Sequence, residues 1–164
     1  MKNITEAILA VMKEVKGVDK TMNVGSGEST YKGVSDQLVK ETIRPSMIKH
    51  GLTLIPKSVE AKTKTDRWEE VGKFGSKQKQ STFTEVKTIY TLLHRSGESL
   101  EVCGYGHGVD SQDKGAGKAT TYALKYALLY LFLVPTGKLD DADETYSDDV
   151  SVPKTKATNN DLPF

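Results

Sequence analysis

The chain has 164 residues, of which 37% are hydrophobic and 27% charged, with 23 Lys and Arg against 22 Asp and Glu. This suits one globular domain with an appended tail, and the longest apolar run, Ala127 to Pro135, is too short to cross a bilayer. Cys103 is the only cysteine, so an internal disulfide is excluded, and with no signal-peptide pattern at the N-terminus the expected location is a reducing cytoplasm.

In chain order, Ile4, Ile8, Val11, Met12 and Val15 recur at helical spacing, with Asn3 and Glu6 in the pattern of a capping box. A Gly/Ser-rich loop is expected from Met22 to Thr30. A second helical segment runs from Ser35, a candidate N-cap, to His50, with Gly51 as its stop. Pro45 lies inside that segment and predicts a kink or a division into two short helices. Leu52 to Ile55 has weak strand character before Pro56, and Lys57 to Ser81 reads as one or two strands around an exposed hairpin or loop. Phe83 to Leu93 is a clearer strand with Val86, Thr88, Tyr90 and Leu92 on one face. Ser96-Gly97 turns the chain into a further strand, Leu100 to Tyr105. The strongest helix spans Lys114 to Leu133, and Pro135-Thr136-Gly137 ends it. The order predicts an α+β fold: N-terminal helices, an antiparallel β-meander, and a long helix packed across it. Residues 1–139 are expected to form the domain, and 140–164 a disordered acidic tail.

Charge is unevenly divided. From Asp140 onward seven acids face Lys154 and Lys156, a net of −5, which leaves the body at +6. A basic body with an acidic tail suits a nucleic-acid binder with a recruiting or competing tail, and equally a domain with a solubilising tail.

Three features bear on nucleic-acid chemistry. On the long helix, Lys114, Lys118, Thr121 and Lys125 share one stripe, while Ala119, Ala123, Tyr126, Ala127, Tyr130 and Leu131 lie broadly opposite and are expected to pack on the sheet. Such a lysine row can track phosphates or be a plain solvated face. In the Lys57 to Gln80 segment, Arg67, Lys73, Lys77 and Lys79 are interleaved with Trp68 and Phe74, a pattern that holds single strands by charge and stacking; the alternative is a polar hairpin whose Trp68 plugs the core. The chain ends in Asp161-Leu162-Pro163-Phe164, where a phenyl ring and a terminal carboxylate could enter an apolar pocket with a basic rim.

Other chemistries find little support. Gly117-Lys118 lacks both the upstream glycine of a P-loop, whose position holds Gln112, and the following Ser or Thr, replaced by Ala119. Asp110 and Asp113 read as turn and capping residues. Cys103, His50, His94 and His107 do not form a zinc spacing, and no nucleophile-and-base pattern stands out; no metal, no cofactor and no enzymatic activity are expected.

Tyr31-Lys32-Gly33-Val34-Ser35, with Ile43-Arg44-Pro45-Ser46-Met47-Ile48-Lys49-His50-Gly51-Leu52, resembles the opening motif of the Erf family of phage single-strand annealing proteins. Asp110 to Gly115, with Gly117 to Leu128, resembles its second motif, and the likeness covers roughly residues 1 to 145. This resemblance implies a β-β-β-α core and ATP-independent binding and annealing of single-stranded DNA in phage recombination and repair. It also implies a homo-oligomeric ring or filament. It places Lys118 and Lys125 beside the DNA groove and gives Tyr122 and Tyr126 to packing. Family members often carry two adjacent basic residues where this chain has Leu124-Lys125. The terminal Asp161-Leu162-Pro163-Phe164 is similar to the docking tip of bacterial single-stranded-DNA-binding proteins and implies host DNA-maintenance proteins as partners. The competing reading is an OB-fold coating protein with such a tail; two leading helical segments and a long late helix disfavour it.

Overall fold

A computed structural model describes residues 1–24, 30–73 and 75–137. Its elements are α1 (Lys2–Glu14), β1 (Met22–Val24), β2 (Tyr31–Gly33), α2 (Asp36–Lys49), β3 (Leu52–Gly72), β4 (Gly75–His94), β5 (Ser99–Asp110) and α3 (Gly115–Leu131). The expected α+β arrangement is observed: β3, β4 and β5 form an antiparallel meander in that order, and α3 packs against β4 and β5. The tail from residue 140, the glycines at 25 and 27, and Phe74 lie outside the described residues.

The face of β4 read from the sequence is the buried one, with Val86, Thr88, Tyr90 and Leu92 all inside. One core cluster joins Ile4 and Val11 of α1, Val39 and Ile43 of α2, Leu92 of β4, and Leu128, Leu129 and Phe132 at the end of α3. A second, smaller cluster of Val86, Ala119 and Ala123 lies where the first half of α3 meets the sheet. The packing there is unusually close. A Cβ on Gly104 would sit 2.6 Å from the Ala123 carbonyl oxygen; on Gly106, 2.2 Å from that of Ala119; on Gly108, 2.7 Å from that of Gly115. Alternate glycines on β5 thus meet the small residues Gly115, Ala119 and Ala123, spaced four apart on α3, and the helix backbone rests directly on the strand.

Four expectations are corrected. Helix α1 has no side-chain cap from Asn3; its first turn is capped by Glu98 of the β4–β5 turn, whose carboxylate accepts from the Ile4 amide at 2.7 Å and meets the Met1 ammonium at 3.1 Å. The amide and the ammonium favour the ionised form and hold the Glu98 carboxyl below its usual range. Pro45 does not divide α2, which runs unbroken with Ser35 as the expected N-cap, its hydroxyl accepting from the Leu38 amide at 3.1 Å. Pro56 does not end β3. The strand continues through it, and the register slips between Pro56 and Ser58, because an edge strand tolerates a missing donor at a bulge. The Met22–Thr30 segment contains β1, which pairs with β2 in a small antiparallel hairpin, Val24 opposite Tyr31.

Helix α3 ends in a Schellman arrangement: the Val134 amide donates to Leu129 O at 2.8 Å and the Leu133 amide to Tyr130 O at 3.3 Å. Leu133 takes the left-handed position (φ 46°) that glycine usually fills. Helices α1 and α2 are tied by Glu14, which accepts from Ser46 Oγ at 2.8 Å and also bonds Lys49 and His50 Nε2. The Lys49 bond, then those of His50 and Ser46, hold the Glu14 carboxyl at about 2, against an ordinary 4.5.

Substitution of Gly106 by Ala is expected to lower unfolding stability by about 2–3 kcal/mol or more, because the obstructing atom is helix backbone. Gly117→Ala, whose added methyl meets nothing within 4 Å, is expected to raise it by about 0.5–1 kcal/mol; urea midpoints of both variants check the contrast. A depressed carboxyl stabilises the fold above its unfolded pKa and loses that contribution as pH falls through the folded value. The Glu14 contribution is therefore complete above about pH 4.5 and is lost between there and about 2. Glu14→Gln is expected to lower the melting temperature at neutral pH and to flatten its dependence over that acidic window.

Candidate nucleic-acid interface

Because α3 rests on β5 without intervening side chains, the flank of the helix stands beside the free edge of the sheet. There Tyr122, Tyr126 and Tyr130, spaced four apart, form a ladder of stacked rings. Each adjacent pair of centroids is 5.8 Å apart, with interplanar angles of 29° and 24°. Burial comes first in raising the Tyr126 phenol above its usual range, followed by Tyr122 and Tyr130, so the ring is neutral at physiological pH. A groove of about 630 Å³ runs along the ladder; Tyr31 of β2 flanks it, and Tyr105, His107 and Lys118 complete its wall. Tyr130 was expected to pack on the sheet but is 71% exposed.

The lysine stripe does not act as one row. Lys114 is exposed at the start of α3 and makes no ion pair among the described residues. Lys118 reaches back to Asp110, with a further bond to Val109 O at 3.1 Å, and this pairing is the main cause of the lowered Asp110 carboxyl. Asp110 also accepts from the Gln112 amide at 2.9 Å, which is the turn role expected of it; Asp113 makes no side-chain cap on α3. Lys125 is 7% exposed, which corrects its placement on a solvated stripe. Its ammonium donates to Val34 O at 3.1 Å and lies 4.3 Å from the Tyr122 ring centroid and 5.0 Å from that of Tyr126. Burial lowers its pKa, opposed by the charge of Asp36 on α2. The third turn of α3 is covered by the chain entering α2, so Lys125 braces the ladder from within.

The other candidates lie on a projecting arm. Pairing of β4 with β5 stops at Thr82 and Asp110, but β3 and β4 continue for seven further pairs, from Asp66–Ser81 to Gly72–Gly75. This two-stranded arm extends about 23 Å past the third strand. Trp68, opposite Lys79, is 46% exposed on it, so it does not plug the core. Lys73 is in the turn. Lys79 pairs with Glu70 at 3.2 Å, whereas Arg67, Lys73 and Lys77 make no ion pair among the described residues.

Cross-strand partners share a face. The register therefore puts Trp68, Lys77 and Lys79 on the same face as Phe83, Tyr105 and His107, the face turned away from α3, with Arg67 on the opposite one. Phe83 stacks on His107 at 5.8 Å and 28°. Tyr105 donates to Glu85, which raises its phenol and keeps it a neutral ring. Since Tyr105 and His107 also line the groove, an aromatic track passes from the ladder on α3, around the β5 edge, to the base of the arm. The residues overlooked in sequence are Tyr31, Tyr105, His107 and Phe83. The four-residue spacing of Tyr122, Tyr126 and Tyr130 was the available signal for the ladder.

Among the described residues no three His, Cys, Asp or Glu side chains are grouped to hold a metal, and no helix is long and apolar enough to span a membrane. The proposed tip, Asp161 to Phe164, lies outside the described residues. The family model of the ERF superfamily matches residues 4–162 of the chain. No curated protein matches it.

Lys125→Ala is expected to lower stability by about 1–3 kcal/mol, by leaving the Val34 carbonyl unpaired under the ladder. Lys114→Ala should stay within about 0.5 kcal/mol of the parent in the same thermal unfolding experiment.

Proposed function

The chain belongs to the ERF superfamily of phage recombination and annealing proteins, and we propose that it binds single-stranded DNA and anneals complementary strands without ATP, as a homo-oligomer. The observation that carries this reading is the aromatic track: a ladder of stacked tyrosines, with Tyr126 and Tyr130 exposed, beside a groove that an unpaired strand can enter. Bases stack on such rings with little sequence preference, each contributing about 1–3 kcal/mol. Exposed cations at Lys114 and on the arm at Arg67, Lys73 and Lys77 supply phosphate contacts, with Lys79 and Trp68 beside them. Lys118 contributes once a phosphate competes with Asp110 for its ammonium. Lys125 serves as a brace for Tyr122 and Tyr126, a role different from the phosphate contact first expected of it.

Within this reading, residues 1–139 carry binding and annealing, and residues 140–164 carry recruitment. Asp161, Leu162, Pro163 and Phe164 would engage host DNA-maintenance proteins, Phe164 entering an apolar pocket and the Asp161 carboxylate a basic rim. The function requires no catalytic residue, cofactor or metal, and it places the protein in the cytoplasm of the bacterial host. A coating protein would bind single strands and suppress annealing.

The purified protein, without ATP and with chelator, is expected to anneal two complementary oligonucleotides well above the spontaneous rate. Tight binding with suppressed annealing would favour the coating function. Tyr126→Ala is expected to weaken binding by about 1–3 kcal/mol with little change in salt dependence, whereas Lys77→Ala should lower the salt slope by about one.

A further inference from the structure

On the side of α3 away from the tyrosine ladder lies a second groove of about 420 Å³, between α2, the start of β3 and α3. Its floor is apolar: Ile43 and Met47 of α2 and Leu128 of α3 are buried there, and Leu124 is partly so. Ile48 stands 66% exposed at its margin, an uncovered branched side chain beside an apolar floor. The rim is cationic. Arg44 is exposed and makes no ion pair among the described residues, and Lys40 is held at 2.6 Å by Asp36. None of these residues belongs to the aromatic track or the arm.

Gly137 is the last of the described residues, and the 27 residues from 138 to 164 include Asp161-Leu162-Pro163-Phe164. Extended, that length reaches about 90 Å, whereas the whole of α3 is about 25 Å long, so distance does not limit where the tip can bind. This segment is the chemical complement of the groove: Leu162 and Phe164 for the apolar floor, Asp161 for the Arg44 and Lys40 rim.

We propose that the segment Asp161 to Phe164 docks into the chain's own α2–α3 groove, with the phenyl ring of Phe164 on Met47, Leu124 and Leu128 and the Asp161 carboxylate at Arg44. A docked tip is withheld from other proteins, so tail recruitment competes with an internal site. The site is separate from the DNA track and independent of whether the protein anneals strands.

Photo-crosslinking of the full chain tests this, with p-benzoyl-phenylalanine in place of Phe164 and peptide mass spectrometry to locate the products. The expected result is crosslinks within one chain, concentrated on residues 43–48 and 124–128, reduced several-fold by Arg44→Glu and by Ile48→Glu. Both substituted side chains are exposed, so the variants should keep the parent melting temperature. Crosslinks spread over the arm or the tyrosine ladder would overturn the proposal. So would crosslinks formed only between chains, or a pattern unchanged in both variants. Strand annealing, measured separately, can fail or succeed without altering any of these outcomes.

Discussion

The contact between the backbone of α3 and the glycine side of β5 is the constraint on which the rest of the site depends. A helix packed on a sheet normally stands off by the thickness of its side chains. Here Gly104, Gly106 and Gly108 offer no side chain, and Gly115, Ala119 and Ala123 offer little. The helix sinks until its carbonyls meet the strand, and its flank is brought level with the sheet edge. Tyr122 and Tyr126 then share a groove with Tyr105 and His107, which belong to the other face of the sheet. Larger residues at the three glycines would lift the helix and separate the walls. Further along, the packing changes character: Leu128, Leu129 and Phe132 enter the main core with α1 and α2, so α3 is anchored by bulk at one end and by close approach at the other.

Charge around the groove is arranged differently from a simple basic stripe. Lys118 is held by Asp110, and Lys125 is buried against Val34 O with two tyrosine rings beside it. An ammonium in such surroundings loses hydration and regains part of it from a carbonyl and from ring faces, which makes it a structural element with a lowered pKa. The groove is therefore chiefly aromatic, and among the described residues exposed cations without an ion pair include Lys114 at the start of α3 and Arg67, Lys73 and Lys77 on the arm. Stacking would set how tightly bases are held there. In the proposed function, phosphate contacts come from Lys114 and from the arm.

The two leading helices are integrated by carboxylates that the fold brings from a distance. Glu98 crosses from the β4–β5 turn to the first turn of α1, and Glu14 at the end of α1 gathers Ser46, Lys49 and His50 of α2. These contacts hold α1 against the sheet and α2 against α1.

The sequence by itself determined the element order, the α+β class, the buried face of β4 and the late helix, because these rest on local periodicity and on stop signals such as Gly51 and Ser96-Gly97. It also carried the family likeness, which the family match over residues 4–162 supports. It could place Lys114, Lys118 and Lys125 on one stripe but could not tell that Lys125 is covered, since a helical angle says nothing about which other segment arrives there. The cap on α1 was misread for the same reason: Asn3 and Glu6 are local, and Glu98 is more than ninety residues away. Pro45 predicts a kink or a division and Pro56 an interruption, yet α2 is one helix with Pro45 inside it and a bulge lets β3 continue. The groove was decided only by the tertiary structure. It is made where the glycines of one strand meet the small residues of one helix, and such a meeting is a relation between two segments that neither pattern contains alone.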